Sequence, residues 1–208
     1  MGHFFLRLRS VERSVSHYAL LASGVLMMTS CSVAPTAPTH RLLMHRAAID
    51  FTGLKNVIEV PSVKVSWAPP MGWDRLQTKK TALYVNEQWR SPSAHTGVGV
   101  AYIKLPIPIT ADMITWFAKN EYCKKSDDGR IIAQWTDTLG RPWFECENNK
   151  YHVRGYAITR GLEAWIVYSG YRTAHAPDPA EISLAMRSSE TIVPGGALPT
   201  TQPSLASL

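Results

Sequence analysis

The residue whose chemistry is easiest to assign is Cys31, a thiol that ends the run Leu-Met-Met-Thr-Ser-Cys. A basic stretch over residues 1–17 comes first, and residues 18–28 are then almost wholly apolar. As a helix, a stretch of this length spans about 16 Å, well short of the roughly 30 Å of hydrocarbon in a bilayer. We therefore expect residues 1–30 to be a cleaved leader rather than a membrane-spanning helix.

Small residues before a cysteine, behind a basic and then apolar leader, resemble the lipobox of bacterial lipoproteins. The resemblance implies a signal peptide over residues 1–30 and a diacylglyceryl thioether on Cys31 with an added N-acyl chain. The lipid membrane is then a partner, because two or more acyl chains give stable anchoring. Ser32 stands where an Asp commonly retains lipoproteins in the inner membrane, so we expect the outer membrane, facing the periplasm. An uncleaved signal anchor, or an ordinary signal peptide that leaves Cys31 as a free thiol, stays open as an alternative.

The two further cysteines, Cys123 and Cys146, are an even pair. In an oxidising compartment such a pair predicts a disulfide, which contributes about 3 kcal/mol for a loop of this length. Two buried, inert thiols are the alternative. The sequence contains no CxxC and no His/Cys spacing typical of zinc, so we expect no metal and no cofactor.

Nucleophilic catalysis has no clear motif in this sequence. A Gly-x-Ser-x-Gly elbow is absent, and His95, His152 and His175 stand isolated along the chain. The alternative function is a hydrolase-like envelope enzyme with a site assembled from Asp137, Glu145 and His152. Such a site requires these side chains to converge in one pocket.

Aromatic side chains are the other candidates for recognition. We expect most of the seven Trp in the core, because one Trp buries about 150–250 Å². Trp135 and Trp143 flank the turn at Leu139-Gly140 and are predicted to pair across a hairpin. On the outer face of a sheet, they would form a platform for a sugar or a peptide.

The charge balance argues against nucleic acid as a partner. Of 22 Lys and Arg and 16 Asp and Glu, the leader takes three Arg and one Glu, which leaves a net charge of only +4. Nucleic-acid-binding domains typically concentrate basic residues in one stripe. The group Arg75, Lys79 and Lys80 is interpreted as a solvated loop.

The elements that position these residues lie between two low-complexity ends. Residues 31–45 are predicted to be a Pro/Thr-rich tether, residues 46–193 a single domain, and residues 194–208 a disordered tail. Alternation of apolar residues predicts strands over residues 63–67, 81–90, 96–105, 131–136, 142–147, 151–159 and 162–171. In the third of these, Gly97 and Gly99 indicate a close backbone approach or a bulge.

Two helices complete the pattern. Thr110 is the predicted N-cap of the first, on which Met113, Trp116 and Phe117 share one face. Asp178-Pro179-Ala180-Glu181 predicts the start of the second, with a capping box. The order of elements predicts an α+β fold, an antiparallel meander sheet of about six to seven strands with helices packed on it.

The stretch from Val63 to Val193 resembles the PsbP-like family of α/β/α sandwiches. The resemblance rests on the segment 69–73 (Pro-Pro-Met-Gly-Trp), the strand turn into Trp143, the hairpin Tyr156 to Tyr171, and the closing helix that ends at residues 188–192. It implies an α/β/α sandwich and a binding or adaptor module, with no enzymatic residues to carry over. Together with the leader and tether, it predicts a membrane-anchored, non-catalytic envelope lipoprotein that binds an envelope protein or a glycan.

Overall fold

The described part of the chain is built around one large antiparallel sheet. The structure is a computed structural model that describes residues 49–82, 84–123 and 128–195. The predicted signal peptide, Cys31, the tether and nearly all of the predicted tail lie outside these residues. Within them, eight strands form the large sheet, three short strands form a small sheet, and two helices pack on the large one.

The strands follow one another as β1 (Ile58–Val60), β2 (Val65–Trp67), β3 (Asp74–Arg75), β4 (Lys79–Lys80), β5 (Tyr84–Arg90), β6 (Thr96–Lys104), β7 (Arg130–Thr136), β8 (Pro142–Glu147), β9 (Tyr151–Arg160), β10 (Glu163–Arg172) and β11 (Val193–Pro194). Helix α1 (Ala111–Tyr122) lies between β6 and β7, and helix α2 (Pro179–Glu190) between β10 and β11. The large sheet has the order β3-β5-β6-β10-β9-β8-β7, with β4 also paired to β5, and the small sheet has the order β1-β2-β11.

The predicted α+β class is confirmed, with two differences in the sheet. First, the large sheet is not one continuous meander. The consecutive strands β4 to β6 form one run of antiparallel neighbours and β7 to β10 another, but β6 pairs with β10 rather than with β7. The chain between β6 and β7 contains α1, which carries it from the middle of the sheet to its far edge. Second, the large sheet has eight strands instead of six to seven. The predicted strand at residues 63–67 lies in the small sheet as β2, whereas β3 and β4 are two-residue strands that no alternation predicts.

Alternation along the central strands gives the sheet two buried faces. On β10, Trp165 and Val167 pack into the core that contains α2 and the small sheet. The intervening Ala164, Ile166 and Tyr168 pack into the core that contains α1. The period of two in a strand thus places one helix against each face of the sheet.

Both helices begin where the sequence predicts. The side chains of Thr110 and Asp178 accept hydrogen bonds from backbone N–H groups of the first turns, at 3.3 and 2.8 Å. Pro179 occupies the first turn of α2, where its missing N–H costs nothing. The predicted capping box differs, because the Glu181 carboxylate instead accepts a 2.6 Å hydrogen bond from the Ser93 hydroxyl in the β5–β6 loop.

Helix α1 buries a different face from the one marked by its largest side chains. Ile114, Ala118 and Tyr122 are at most 4% exposed and pack on the sheet. Met113 and Trp116 are each 46% exposed on the outer side. The face that carries Met113 and Trp116 is therefore not the one that packs on the sheet.

The end of α1 and the end of the described chain are both joined to strands. Cys123, directly after α1, lies at bonding distance from Cys146 on β8, with a Cα–Cα separation of 5.5 Å, as the predicted disulfide requires. Pro194, assigned by composition to the tail, instead pairs with Val65 in the small sheet. The folded part therefore extends slightly beyond its predicted end.

Gly99 shows why β6 carries glycine. The pairing of β6 with both neighbours is unbroken around it, so there is no bulge. A Cβ at this position would lie 2.6 Å from the ring of Tyr168 and 2.9 Å from the Glu87 carbonyl. The close approach predicted for this strand is therefore the correct one of the two alternatives.

Candidate functional site

One side of the large sheet is only partly covered by its helix. Helix α2 packs on β6 and β10. On the outer strands of the same side, several large side chains are only partly buried, namely Trp135 on β7, Glu145 on β8, and His152 and Arg154 on β9. We call the surface formed by these four residues the open face.

Trp135, at the edge of the open face, forms an aromatic pair with the buried Trp143. Trp135 and Trp143 are direct cross-strand partners, and their rings stack with centroids 5.4 Å apart and 11° between the planes. Trp143 in turn contacts the buried ring of Tyr156, at 4.4 Å between centroids. Cross-strand aromatic pairs stabilise the sheet that carries them. The pairing expected from the hairpin is present, but Trp143 is only 5% exposed and offers no ring surface to a ligand.

Arginine side chains pack against this pair. The Arg154 guanidinium carbon lies 4.8 Å from the ring centroid of Trp135 and 4.7 Å from that of Trp143. Arg141 lies 4.3 Å from the ring centroid of Tyr156. Cation–π contacts of this kind contribute about 0.5–2 kcal/mol each, so they hold the partly exposed Trp135 in a defined orientation. We call Trp135, Trp143, Arg141, Arg154 and Tyr156 the aromatic–arginine cluster.

Asp137 organises the turn beneath this cluster. Its carboxylate accepts hydrogen bonds from the backbone N–H groups of Leu139 and Arg141, both at 2.9 Å. It also accepts one from Arg141 Nε at 2.6 Å and one from the indole of Trp143 at 2.8 Å. Burial opposes ionisation, but the bonds from Trp143 and Arg141 and the Arg141 charge outweigh it and lower the pKa of Asp137.

Burial has the larger effect on Tyr156. Its hydroxyl donates a 2.9 Å hydrogen bond to the backbone carbonyl of Ser189 on α2. Burial raises the pKa of Tyr156 to about 12, against the opposing charge of Arg141. The phenol therefore stays neutral in the physiological range and joins α2 to the sheet.

The proposed catalytic set is divided between two places. His152 Nε2 and Glu145 Oε1 lie 2.7 Å apart, and the His152 ring stacks on Tyr171. Asp137 is bound by donors of its own turn, as described above. The structure thus brings Glu145 and His152 together, whereas the contacts of Asp137 are those of a turn-forming residue.

The open face has the groups needed to recognise a ligand by stacking and hydrogen bonding. Trp135 supplies aromatic surface, and Glu145 lies directly opposite Arg154 in the β8–β9 pairing. Within the described residues, Arg154 Nε is buried and has no hydrogen-bond acceptor. The charges of Glu145 and Arg154 balance, so the surface suits a neutral ligand with hydroxyl or amide groups better than a strongly charged one.

The interpretation of the three histidines as isolated is wrong, because His152 contacts Glu145 and Tyr171, and His95 and His175 contact each other. The rings of His95, in the β5–β6 loop, and His175, before α2, stack with centroids 4.0 Å apart and 22° between the planes. Nothing in the sequence signals this contact, because it joins two loops that are eighty residues apart.

The described residues contain neither a group of metal ligands nor a membrane-spanning helix. Nowhere between residues 49 and 195, outside positions 83 and 124–127, do three or more His, Cys, Asp or Glu side chains group so that they could hold a metal ion. Helices in that same part of the chain are too short or too polar to cross a membrane. Cys31, the predicted lipidation residue, lies outside this region.

Arg141, Arg154 and Tyr156 were not predicted as site residues from the sequence. A signal was present, since Arg154 and Tyr156 are two positions apart in a predicted strand and therefore share a face. Their position next to Trp143 depends on the β8–β9 register, which the sequence leaves open. No family model matches this chain, and no curated protein sequence is significantly similar to it.

Proposed function

We propose that this protein is a membrane-anchored lipoprotein of the bacterial cell envelope and acts as a non-catalytic binding module for a glycan. The observation that carries the proposal is the open face, where the partly exposed Trp135 is held by Trp143 and Arg154 beside Glu145 and His152. An aromatic ring bordered by hydrogen-bonding side chains suits a sugar, which presents an apolar ring face and peripheral hydroxyl groups. An envelope protein acting through the same surface is the other outcome of the test.

Retention on purified cell-wall glycan tests the binding surface. We expect the wild-type protein to be retained and Trp135→Ala to bind about tenfold more weakly, since one stacking ring and its ordered neighbours are lost. Trp116→Ala is the matched control, because Trp116 is 46% exposed on the opposite side of the sheet. Equal binding by Trp135→Ala and the wild type would contradict the proposal. In-cell crosslinking from position 135 to a protein would indicate the envelope-protein outcome.

The membrane anchor requires its own test. Wild-type cells grown with a palmitate analogue should incorporate label into this protein, and Cys31→Ala should incorporate none. Absence of label in the wild type would leave the binding module without its proposed anchor. The proposed location is the periplasmic side of the outer membrane, which fractionation of the labelled protein examines directly.

We further propose a relationship to the PsbP-like family. The segment at residues 69–73 and the long hairpin motivate it, and the antiparallel sheet with a helix against each face supports it. Superposition of an experimental structure of this domain on a family member is the test, and a different strand order would end the proposal.

The alternative of an envelope hydrolase has one favourable observation, the 2.7 Å contact between Glu145 and His152. A carboxylate–imidazole pair is a familiar part of acid–base catalysis. The same glycan preparation distinguishes the two functions. We expect no release of soluble fragments, whereas release that Glu145→Gln abolishes would establish the enzyme.

A further inference from the structure

Three exposed apolar side chains lie in the first part of the described chain, which follows the predicted tether. Phe51, Ile58 and Met71 are 37, 38 and 61% exposed. The backbone brings the first and last together, because Met71 N–H donates to the Gly53 carbonyl at 2.8 Å and Leu54 N–H to the Phe51 carbonyl at 2.9 Å. We call Phe51 and Met71 the tether-end patch.

The tether-end patch is part of the folded domain and not a frayed terminus. Leu54 is 6% exposed and forms a bridge with Pro70. Lys55 N–H donates to the Pro69 carbonyl at 2.8 Å. Next to the patch, Asp50 forms a 2.6 Å ion pair with Arg187 of α2. The apolar side chains are therefore displayed by a fixed backbone.

The character of the patch is apolar rather than electrostatic. The segment 50–75 contains three acidic and three basic residues, so its formal charge is zero. Exposed apolar groups next to each other on a neutral surface indicate a partner that removes them from water. Attraction to the surface charge of a membrane is not required.

The length of the chain between Cys31 and residue 49 indicates which apolar partner is near the tether-end patch. Residue 49, the first described one, is separated from Cys31 by a chain that spans about 60 Å when fully extended and about 25 Å as a flexible coil. A domain of this size is about 30–40 Å across. The tether-end patch therefore lies closer to the anchor than any opposite surface, at an effective concentration in the millimolar range, at which even weak contacts are populated.

We propose that the tether-end patch docks on the bilayer that holds Cys31, with Met71 and Phe51 entering the interface between headgroups and acyl chains. This inference rests on the proposed lipid anchor. It sets the orientation of the domain, since the membrane then contacts the small-sheet end of the molecule. The tether then limits how far the domain can move from the membrane, and the tether-end patch determines which surface of the domain contacts the bilayer.

Site-specific fluorescence tests the docking. Single cysteines at Met71, Ile132 and Leu162 are labelled with an environment-sensitive dye in the lipidated protein, in vesicles of equal parts phosphatidylcholine and phosphatidylglycerol. Ile132 on β7 and Leu162 at the β9–β10 turn are matched controls, because they are 46 and 45% exposed. Doxyl-labelled lipid should quench the dye at position 71 on the order of twofold and leave both controls nearly unchanged.

The outcomes separate the docking from the anchor. Quenching that is equal at all three positions, or strongest at 132 or 162, would overturn the docking even when Cys31 carries label from palmitate. Quenching at 71 in a protein that proves unlipidated would sustain the docking and end the anchor. Added salt should leave the signal at 71 unchanged, and Phe51→Ser should reduce the vesicle affinity of the protein several-fold.

Discussion

Removal of the Asp137 carboxylate tests the physical basis of the candidate site. Asp137→Ala deletes the acceptor of four hydrogen bonds and leaves the guanidinium of Arg141, which is 6% exposed, without its ion-pair partner. Breaking a buried ion pair by removing one partner typically costs 3–5 kcal/mol. Asp137 itself keeps 17% of its side chain exposed, so we expect about 3 kcal/mol of lost stability, at the lower end of that range.

A double-mutant cycle separates the contribution of the Asp137–Arg141 ion pair from that of the other hydrogen bonds of Asp137. Arg141→Met keeps most of the side-chain volume and removes the charge, so it should cost about 1 kcal/mol. The double variant with Asp137→Ala should cost only about 2 kcal/mol, since no charge is left buried and unpaired. The coupling free energy is then about 2 kcal/mol. A double variant that loses the full sum of the two single effects would refute the reasoning.

The pH dependence of the folding stability independently tests the direction of the pKa shift of Asp137. The pKa of Asp137 is lowered in the folded protein, so unfolding takes up a proton when the medium is acidic. The stability from this group is fully present above about pH 5 and is lost as the pH falls through the folded-state value. The stability difference between wild type and Asp137→Ala should therefore be constant near neutrality and narrow below about pH 4.

Chemical denaturation followed by Trp fluorescence measures all three variants, because Trp143 belongs to the same network. Unchanged denaturant slopes are needed before the midpoints are compared. A loss below 1 kcal/mol for Asp137→Ala, or a difference that widens in acid, would show that the carboxylate does not hold Arg141 as described.

The remaining predictions concern packing and cross-links. Replacing Cys123 and Cys146 together by Ala should lower the free energy of unfolding by about 3 kcal/mol, and thiol reagents should label neither cysteine in the native wild type. Gly99→Ala should cost about 1–3 kcal/mol because the added Cβ meets the Tyr168 ring and the Glu87 carbonyl, and thermal melts should show a smaller cost for the same change in a Tyr168→Leu background. Ser188→Ala should lower the free energy of unfolding by about 1–2 kcal/mol, measured with denaturant, because the buried indole N–H of Trp67 loses its acceptor.

Local elements followed from the sequence because their signals are local. The strand at residues 142–147 has the predicted bounds, and α2 begins at Pro179 behind its Asp178 cap. Alternation and capping each involve a few neighbouring residues, so no tertiary information is needed. Helix α1 shows the limit of this reasoning. Its face with Met113 and Trp116 is exposed, whereas the face with Ile114, Ala118 and Tyr122 packs on the sheet, a choice that depends on tertiary contacts.

The candidate site was half predictable for the same reason. Trp135 and Trp143 are joined by a short hairpin, so their pairing is a local consequence of the turn. Arg154 and Tyr156 reach them from β9 through a register that depends on the whole sheet. Asp137 is separate from the pair of Glu145 and His152 because its carboxylate is bound by three donors of its own turn and by the Trp143 indole on β8, which sequence spacing does not reveal.

The sequence by itself determined the longer strands, the starts of both helices and the α+β class, because these depend on patterns within a few residues. The leader, the lipidation of Cys31 and the tether are also predicted from the sequence alone, since they rest on local residue patterns and need no fold. Only the tertiary structure decided that β6 pairs with β10, that α2 leaves the outer strands partly uncovered, and that Arg154 packs on Trp135. These three features depend on contacts between residues that are distant in sequence. Such contacts form only when the whole sheet is assembled, so no local pattern predicts them.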